Sequence, residues 1–144
     1  MAIDRLAHYS VRTTDLAASR RFYTEALGFR EGYRPPFEFP GHWLYRDEDE
    51  SDHGVVHLVG IDLDDPQGLK AYLGDKPLDG LSGSGAVDHL AFIASGLHEL
   101  TERLRRMDCE YRERTVPSLG LHQVFVEDPS GITIELNFNA QELR

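Results

Sequence analysis

The chain has 144 residues, with little cysteine and a shortage of positive charge. A single cysteine, Cys109, can form no disulfide within the chain and provides no thiolate pair for a metal site. Lys and Arg number 15 against 25 Asp and Glu, so the formal net charge is −10, and no basic run interrupts it. Because nucleic-acid phosphates would be repelled, we expect neither DNA nor RNA as a partner.

Long apolar runs are absent as well. The apolar stretches are only a few residues long, as at Val55-Val56, whereas a membrane-spanning helix needs about 20 residues. Residues 1–5 contain no hydrophobic signal core. We therefore expect no membrane association and a cytoplasmic protein. The length and the 40% hydrophobic content predict one compact domain over residues 1–144.

An internal repeat organises this domain. His8 lies in a strand-like run that leads into an amphipathic helix, and His89 repeats the arrangement 81 residues later. The repeat predicts a first module over residues 4–60, a linker over 61–85 and a second module over 86–139.

Each module has the pattern of a β-α-β-β-β unit. The first helix is expected to begin at Thr14 or Asp15 and to end at Gly28, and the second to be capped by Ser95. A short helix is also possible over residues 67–73 of the linker. The turn residues Asp128-Pro129-Ser130-Gly131 predict a tight hairpin between the last two strands. The strand candidates that follow the helices are residues 29–33, 42–46, 55–60, 110–115, 121–127 and 132–138.

Four residues at repeat-related positions could hold a metal ion. Glu135 interrupts the apolar last strand, and His57 interrupts an apolar run 78 residues earlier, close to the offset between His8 and His89. If the modules pack with pseudo-twofold symmetry, the four side chains converge. Three imidazoles and a carboxylate suit one divalent ion, Zn, Ni, Co, Mn or Fe, and leave up to two positions open for substrate.

The other histidines and the acidic run receive simpler interpretations. His42, His53 and His98 are expected to be exposed, whereas His122 has the parity of a core residue in its strand. The run over residues 47–52 is expected to be a solvated acidic loop.

These motifs resemble the vicinal oxygen chelate superfamily, which includes glyoxalase I, methylmalonyl-CoA epimerase, fosfomycin-resistance proteins, bleomycin-resistance (bleomycin-binding) proteins and extradiol dioxygenases. The resemblance implies an α+β fold in which two tandem βαβββ modules form a U-shaped mixed sheet around a metal site, in a homodimer with a small-molecule substrate. The segments that carry it are His8, residues 15–29, 88–92, 125–131 and 134–136.

The resemblance also implies roles for particular residues. His57 falls where bacterial glyoxalase I places its second metal ligand, usually a glutamate. Glu135 falls where that enzyme places the glutamate that is both ligand and proton-transfer base. Arg12 matches an arginine that contacts the glutathione carboxylate, and Arg12 and Arg34 could fix an anionic substrate tail. The candidate substrate-binding residues are Arg12, Phe37, Phe39, Trp43, Gln123 and Phe125.

The leading hypothesis is a metal-dependent, glyoxalase-like lyase or isomerase. Its substrate would be chelated through two vicinal oxygens, and the metal-bound Glu135 would transfer the proton. Glu135 is the only strand carboxylate with the right placement, and the histidine at position 57 departs from the glyoxalase pattern.

Two alternatives remain open. One is an extradiol-type Fe(II) ring-cleaving dioxygenase that uses His8, His89 and Glu135, although Val116 and Phe125 stand where such enzymes have proton-transferring residues. The other is a non-enzymic protein, of the antibiotic-resistance type, that binds a small aromatic ligand. Its groove would be lined by Phe37, Phe39, Trp43 and Phe125.

Overall fold

The computed structural model describes residues 1–51 and 53–144, and the chain divides into two compact units, Met1–Leu81 and Ser82–Arg144. The first unit contains β1 (Tyr9–Thr13), α1 (Leu16–Arg21), β2 (Arg30–Gly32), β3 (Gly41–Tyr45), β4 (Val56–Gly60) and α2 (Gln67–Leu73). The second contains β5 (Leu90–Ile93), α3 (Leu97–Arg106), β6 (Tyr111–Val116), β7 (Leu121–Glu127) and β8 (Thr133–Asn139).

Both units have the same sheet topology. The strand order is β1-β4-β3-β2 in the first sheet and β5-β8-β7-β6 in the second. In each sheet the first strand runs parallel to the last strand of its unit, and the remaining pairs are antiparallel. The predicted α+β class with two βαβββ modules is therefore confirmed, as is the short helix over residues 67–73.

The first helix begins where the capping residues predicted. The Asp15 side chain accepts a hydrogen bond from the Ala18 N–H at 3.1 Å. After α1 the chain continues as a π-helical turn, Phe22–Ala26, whose buried residues include Phe22 and Tyr23. The reversal follows at Gly28, where a φ of 81° is accessible to glycine at little cost.

The start of α3 differs from its prediction. The N-cap is Gly96, with a left-handed φ of 85°, and Ser95 makes no capping bond. Instead the Glu142 carboxylate accepts hydrogen bonds from the N–H groups of Gly96 and Leu97, at 2.9 and 2.8 Å. A carboxylate suits this position because the unpaired N–H groups and the helix dipole both attract negative charge.

The predicted hairpin between β7 and β8 is confirmed and depends on a buried aspartate. Asp128 is 4% exposed, and its Oδ1 accepts from the N–H groups of Ser130 and Ile132, each at 2.9 Å. Gly131 closes the turn with a φ of 79°. This turn sets the register that pairs Phe125 with Glu135 across the two strands.

The first unit has an apolar cluster beside its sheet that includes the loop before β3. It consists of Phe39, Val59, Ile61 and Leu69, with Phe37 and Leu73 packed against it. This cluster anchors α2 against the loop over residues 34–40. No helix in residues 1–51 or 53–144 has the length and apolarity needed to cross a membrane.

Candidate functional site

Glu135 is held in the centre of β8 by two amide side chains. The Nε2 of Gln123, on β7, and the Nδ2 of Asn137 each donate to Glu135 Oε1 at 2.8 Å. All three residues are at least 91% buried. The polar face of β8, which carries Glu135 and Asn137, is therefore buried as well as its apolar face. A buried carboxylate without such donors would be costly, and these two bonds fix the orientation of its other oxygen.

His89 faces the second oxygen of that carboxylate. Its Nε2 lies 2.9 Å from Glu135 Oε2, and its Nδ1 lies 2.7 Å from Asp88 Oδ1. Both ring nitrogens thus face carboxylate oxygens, which accept but do not donate hydrogen bonds when ionised. The arrangement accommodates a positive charge between Nε2 and Oε2, carried either by a proton or by a metal ion.

His57 is the central predicted ligand within the first unit. It lies on β4, is 7% exposed, and its Nε2 is 2.8 Å from the carbonyl oxygen of His53. Because a carbonyl oxygen can only accept, Nε2 carries the proton and Nδ1 is the basic nitrogen of the neutral ring. Burial lowers the pKa of His57, and the nearby His8 and Arg34 act in the same direction, against the bond to His53.

The His57 ring is stacked between two other rings. The His8 ring lies 3.8 Å away at 17°, and the Trp43 ring, on the neighbouring strand, lies 4.0 Å away at 7°. His8 stands immediately before β1 and is exposed. The structure therefore brings two predicted ligands, His8 and His57, into contact within the first unit.

The donor chemistry of the His89–Glu135 pair fits a divalent metal ion. His89 Nε2 and Glu135 Oε2 lie 2.9 Å apart, so an imidazole nitrogen and a carboxylate oxygen, both of which bind divalent ions, are adjacent. His89 Nδ1 contacts the Asp88 carboxylate and His57 Nε2 contacts a carbonyl oxygen, which are the kinds of contact that orient histidines in known metal sites.

Among the described residues, the predicted ligands are observed as two pairs, His8 with His57 and His89 with Glu135. Among residues 1–51 and 53–144, no group of three or more His, Cys, Asp or Glu side chains is placed so that it could hold a metal ion. The convergence of all four residues on one ion therefore stays a prediction.

An aromatic cavity of about 420 Å³ adjoins His57 in the first unit. It gathers the predicted residues Phe37, Phe39 and Trp43 together with His8 and His57. Tyr72, from α2, completes the wall, with its ring 4.6 Å from that of Phe37. Sequence reasoning missed Tyr72; the only available signal was its place in a short amphipathic helix.

Arg12 lies apart from the residues that line this cavity. Its Nη1 donates to the carbonyl oxygen of Pro77 at 2.8 Å, in an exposed position. A role for Arg12 in substrate binding stays a prediction. Arg34, by contrast, lines the cavity wall.

In the second unit, Phe125 is covered by arginines from β6. The guanidinium carbon of Arg112 lies 4.1 Å from the ring centroid, and that of Arg114 lies 6.0 Å away. Arg114 Nε also donates to Gln123 Oε1 at 2.7 Å, which orients the amide that contacts Glu135. Phe125 and Arg112 line an open cavity of about 590 Å³. Neither arginine stood out in the sequence.

Two expectations about polar residues need correction. His42 lies within β3 and contacts Glu31, so the expectation that it is exposed was wrong; His53 and His98 are exposed as expected, and His122 is buried. Glu50 pairs with Arg30 at 2.8 Å, so the acidic run is not simply solvated. Position 52 of that run lies outside the described residues.

Comparison with known families identifies the group to which the chain belongs. A model of the Glyoxalase/Bleomycin resistance protein/Dioxygenase superfamily matches residues 5–136. The chain belongs to this superfamily. Its members include glyoxalase I, fosfomycin-resistance and antibiotic-binding proteins. A comparison with curated protein sequences found no match.

Solved structures of the superfamily resemble the chain over nearly its full length. The fosfomycin resistance protein FosX from Listeria monocytogenes has 16% identity and a TM-score of 0.64, with 98% of each chain covered. The antibiotic-binding protein TnmS3 from Streptomyces sp. CB03234 has 24% identity and a TM-score of 0.58, with 96% of this chain and 98% of that one covered.

A third similar structure is the trypanothione-dependent glyoxalase I of Leishmania major. It has 24% identity and a TM-score of 0.61, with 98% of this chain and 91% of that chain covered. At these identities the likeness shows a shared fold, which in this superfamily supports both enzymes and binding proteins.

Proposed function

We propose that the protein is a metal-dependent lyase or isomerase of the glyoxalase type that acts on a small substrate with two vicinal oxygens. The observation that carries the proposal is the buried Glu135 carboxylate, whose Oε1 accepts from two amides while Oε2 faces His89. A carboxylate with one oxygen fixed and the other turned toward a ligand histidine is suited to accept and return a proton.

The proposed ligands are His8, His57, His89 and Glu135. A divalent ion held by them would polarise the substrate oxygens and stabilise negative charge on them. Glu135 Oε2 would take the proton from the carbon next to a polarised oxygen and deliver it to the neighbouring carbon. Gln123 and Asn137 keep Glu135 Oε1 in place during both transfers. The aromatic cavity would hold the apolar part of the substrate and exclude water from it.

Metal analysis of single variants tests the ligand set. We expect about one Zn, Ni, Co, Mn or Fe ion per chain after loading, and a much lower content in both His57→Ala and His89→Ala. His98→Ala is the matched control, because His98 is exposed on α3. Loss of metal in only one of the two ligand variants would reject a shared ion, and full retention in both would reject the ligand set.

Turnover tests the role of Glu135. A panel of 2-oxoaldehyde hemithioacetals and 2-hydroxyketones is offered to the loaded protein and to Glu135→Gln, which keeps the side-chain shape but removes the base. We expect a loss of about 10²- to 10⁴-fold in rate, the usual contribution of a general base. Wild-type rates in a folded, metal-loaded Glu135→Gln would reject the mechanism.

The two alternatives predict different products. Oxygen consumption with catechols would identify an Fe(II) dioxygenase that uses His8, His89 and Glu135. Recovery of a bound aromatic ligand unchanged would identify a binding protein, which the aromatic cavity beside His57 also favours. We further propose a homodimer with a small-molecule substrate, and light scattering coupled to gel filtration measures the oligomeric state.

A further inference from the structure

The cavity of the first unit has flat aromatic walls. The rings of Phe37 and Phe39 are stacked, 5.3 Å apart and 8° from parallel, and Tyr72 lies 5.4 Å from Phe39. Trp43, stacked on His57, lies 6.1 Å from Phe37. The Trp43 and Tyr72 rings are tilted by 47° and 44° from that of Phe37. An aromatic ligand suits such a wall, because its ring can make offset and edge contacts with these faces.

The cavity also contains an uncompensated positive charge. Arg34 lines it, with the guanidinium carbon 5.0 Å from the ring centroids of both Phe37 and Phe39. Arg34 Nη2 donates to the Phe39 carbonyl oxygen at 2.8 Å. Among residues 1–51 and 53–144 the guanidinium has no ion pair and no second hydrogen-bond acceptor.

No acidic side chain in the described ranges 1–51 and 53–144 lines this cavity, although acidic residues outnumber basic ones in the chain. The net charge is −10, yet the titratable groups among the described lining residues are Arg34, Tyr72 and three histidines, His8, His53 and His57. Burial lowers the pKa of Arg34, as it does for a cation that is partly removed from water without an anionic partner. An anion that entered the cavity would supply that partner.

We propose that this cavity binds a planar aromatic carboxylate, whose ring lies against Phe37 and Trp43 and whose anionic group pairs with Arg34. The guanidinium has N–H donors to spare after its bond to Phe39, so a carboxylate can accept two of them side by side. The proposal names the substrate class of the proposed enzyme and rests on that function for its chemistry. The binding step itself requires no metal.

Calorimetry on metal-free wild-type protein tests the charge requirement and the flat-ring requirement of the proposal with three matched probes. These are 2-naphthoate, its uncharged isostere 2-naphthamide, and decalin-2-carboxylate, which keeps the charge but loses the flat ring. We expect 2-naphthoate to bind about tenfold or more tightly than either of the others. The amide loses the charge-assisted contact and the decalin loses the aromatic stacking, and each contact is worth about a tenfold gain in affinity. Equal affinity for 2-naphthoate and 2-naphthamide would overturn the ion pair with Arg34.

Variants assign the effect to Arg34. In Arg34→Gln we expect 2-naphthoate to bind only as well as 2-naphthamide does, whereas Arg34→Lys retains part of the preference. Arg21→Gln, which removes an equal charge from an exposed site of the same unit, should leave the preference unchanged. Unaltered binding of 2-naphthoate by Arg34→Gln would overturn the proposal. If Arg34→Gln does not fold, the comparison of probes on wild-type protein still decides.

The outcomes separate this inference from the proposed enzyme. Carboxylate-selective binding by a protein that holds no metal and turns nothing over would support the cavity and reject the enzyme. Metal binding and turnover of aliphatic substrates, with no selective binding of 2-naphthoate, would support the enzyme and reject the aromatic carboxylate as its substrate class.

Discussion

The indole ring of Trp43 lies 4.0 Å from the imidazole ring of His57, with the two planes 7° apart. The two residues are register partners on β3 and β4, so the sheet itself holds the contact. Trp43 is the only tryptophan of the chain. Its fluorescence therefore reports events at His57.

We predict that Co²⁺ lowers Trp43 fluorescence when it binds at His57. An open-shell ion quenches a fluorophore at this short distance, whereas Zn²⁺, with a filled d shell, should have much less effect. His57→Ala should lose the Co²⁺ response and His98→Ala should keep it. The same quenching in His57→Ala would show that the ion binds elsewhere.

Asp88→Ala should weaken metal binding without affecting the fold. The Asp88 carboxylate orients His89 through Nδ1, and loss of such an outer contact costs about 10- to 100-fold in metal affinity. Because the Asp88 side chain is 94% exposed, stability should change by less than about 0.5 kcal/mol. Competition with a chromophoric chelator measures the affinity, with the exposed Asp79→Ala as control. Unchanged affinity would remove Asp88 from the site.

Gln123→Leu should destabilise the second unit. The substitution removes one of the two donors to Glu135 Oε1 and leaves Arg114 without its acceptor. Because the buried carboxylate is then incompletely paired, we expect the free energy of unfolding to fall by about 1–3 kcal/mol. Urea denaturation measures it, and Gln141→Leu, at an exposed position, is the control. Equal stability of the two variants would mean that the polar network contributes little.

Gly68→Ala should displace α2 and open the aromatic cavity. A Cβ at this position would lie 2.0 Å from the Glu38 carbonyl oxygen, so the helix that carries Tyr72 must move. Such a clash predicts a loss of about 1–3 kcal/mol in stability, together with weaker binding of 2-naphthoate. Gln67→Ala, at an exposed position one residue away on the same helix, is the control. An unaltered thermal midpoint and unaltered binding would contradict the close approach.

Glu31 should account for part of the stability lost in acid. Burial raises the pKa of its carboxyl, but hydrogen bonds from Arg20 and His42, together with their charges, hold it below its ordinary value of 4.5. The unfolded state therefore binds the proton more readily. The contribution is complete above about pH 4.5 and is lost as the pH falls through the lowered folded value.

Unfolding free energies measured across that acidic range check this assignment. We expect the pH dependence to be shallower in Glu31→Gln than in wild type, and Glu102→Gln, at an exposed position of α3, to behave like wild type. Parallel curves for wild type and Glu31→Gln would mean that the contacts of Glu31 contribute nothing.

Much of the fold follows from local patterns. The recurrence of His8 as His89, the spacing of apolar residues in the helices and the turn chemistry at Asp128 each reside within a short stretch of chain, and the structure confirms the elements they predict. The predicted N-cap of α3, Ser95, was wrong, because the capping group comes from a distant residue. Glu142 caps α3 from 45 residues away, which no local pattern at Ser95 could indicate.

The candidate site was only partly accessible to the sequence. Alternation along the strands was enough to single out His57 and Glu135, because a polar residue within an apolar strand is visible in a single segment. The Gln123 amide that donates to Glu135, the Trp43 ring that covers His57 and the tyrosine from α2 come from other strands and helices. They were decided by register and packing, since a hydrogen bond or a stacked ring depends on distances of 3–4 Å between residues that the chain order leaves far apart.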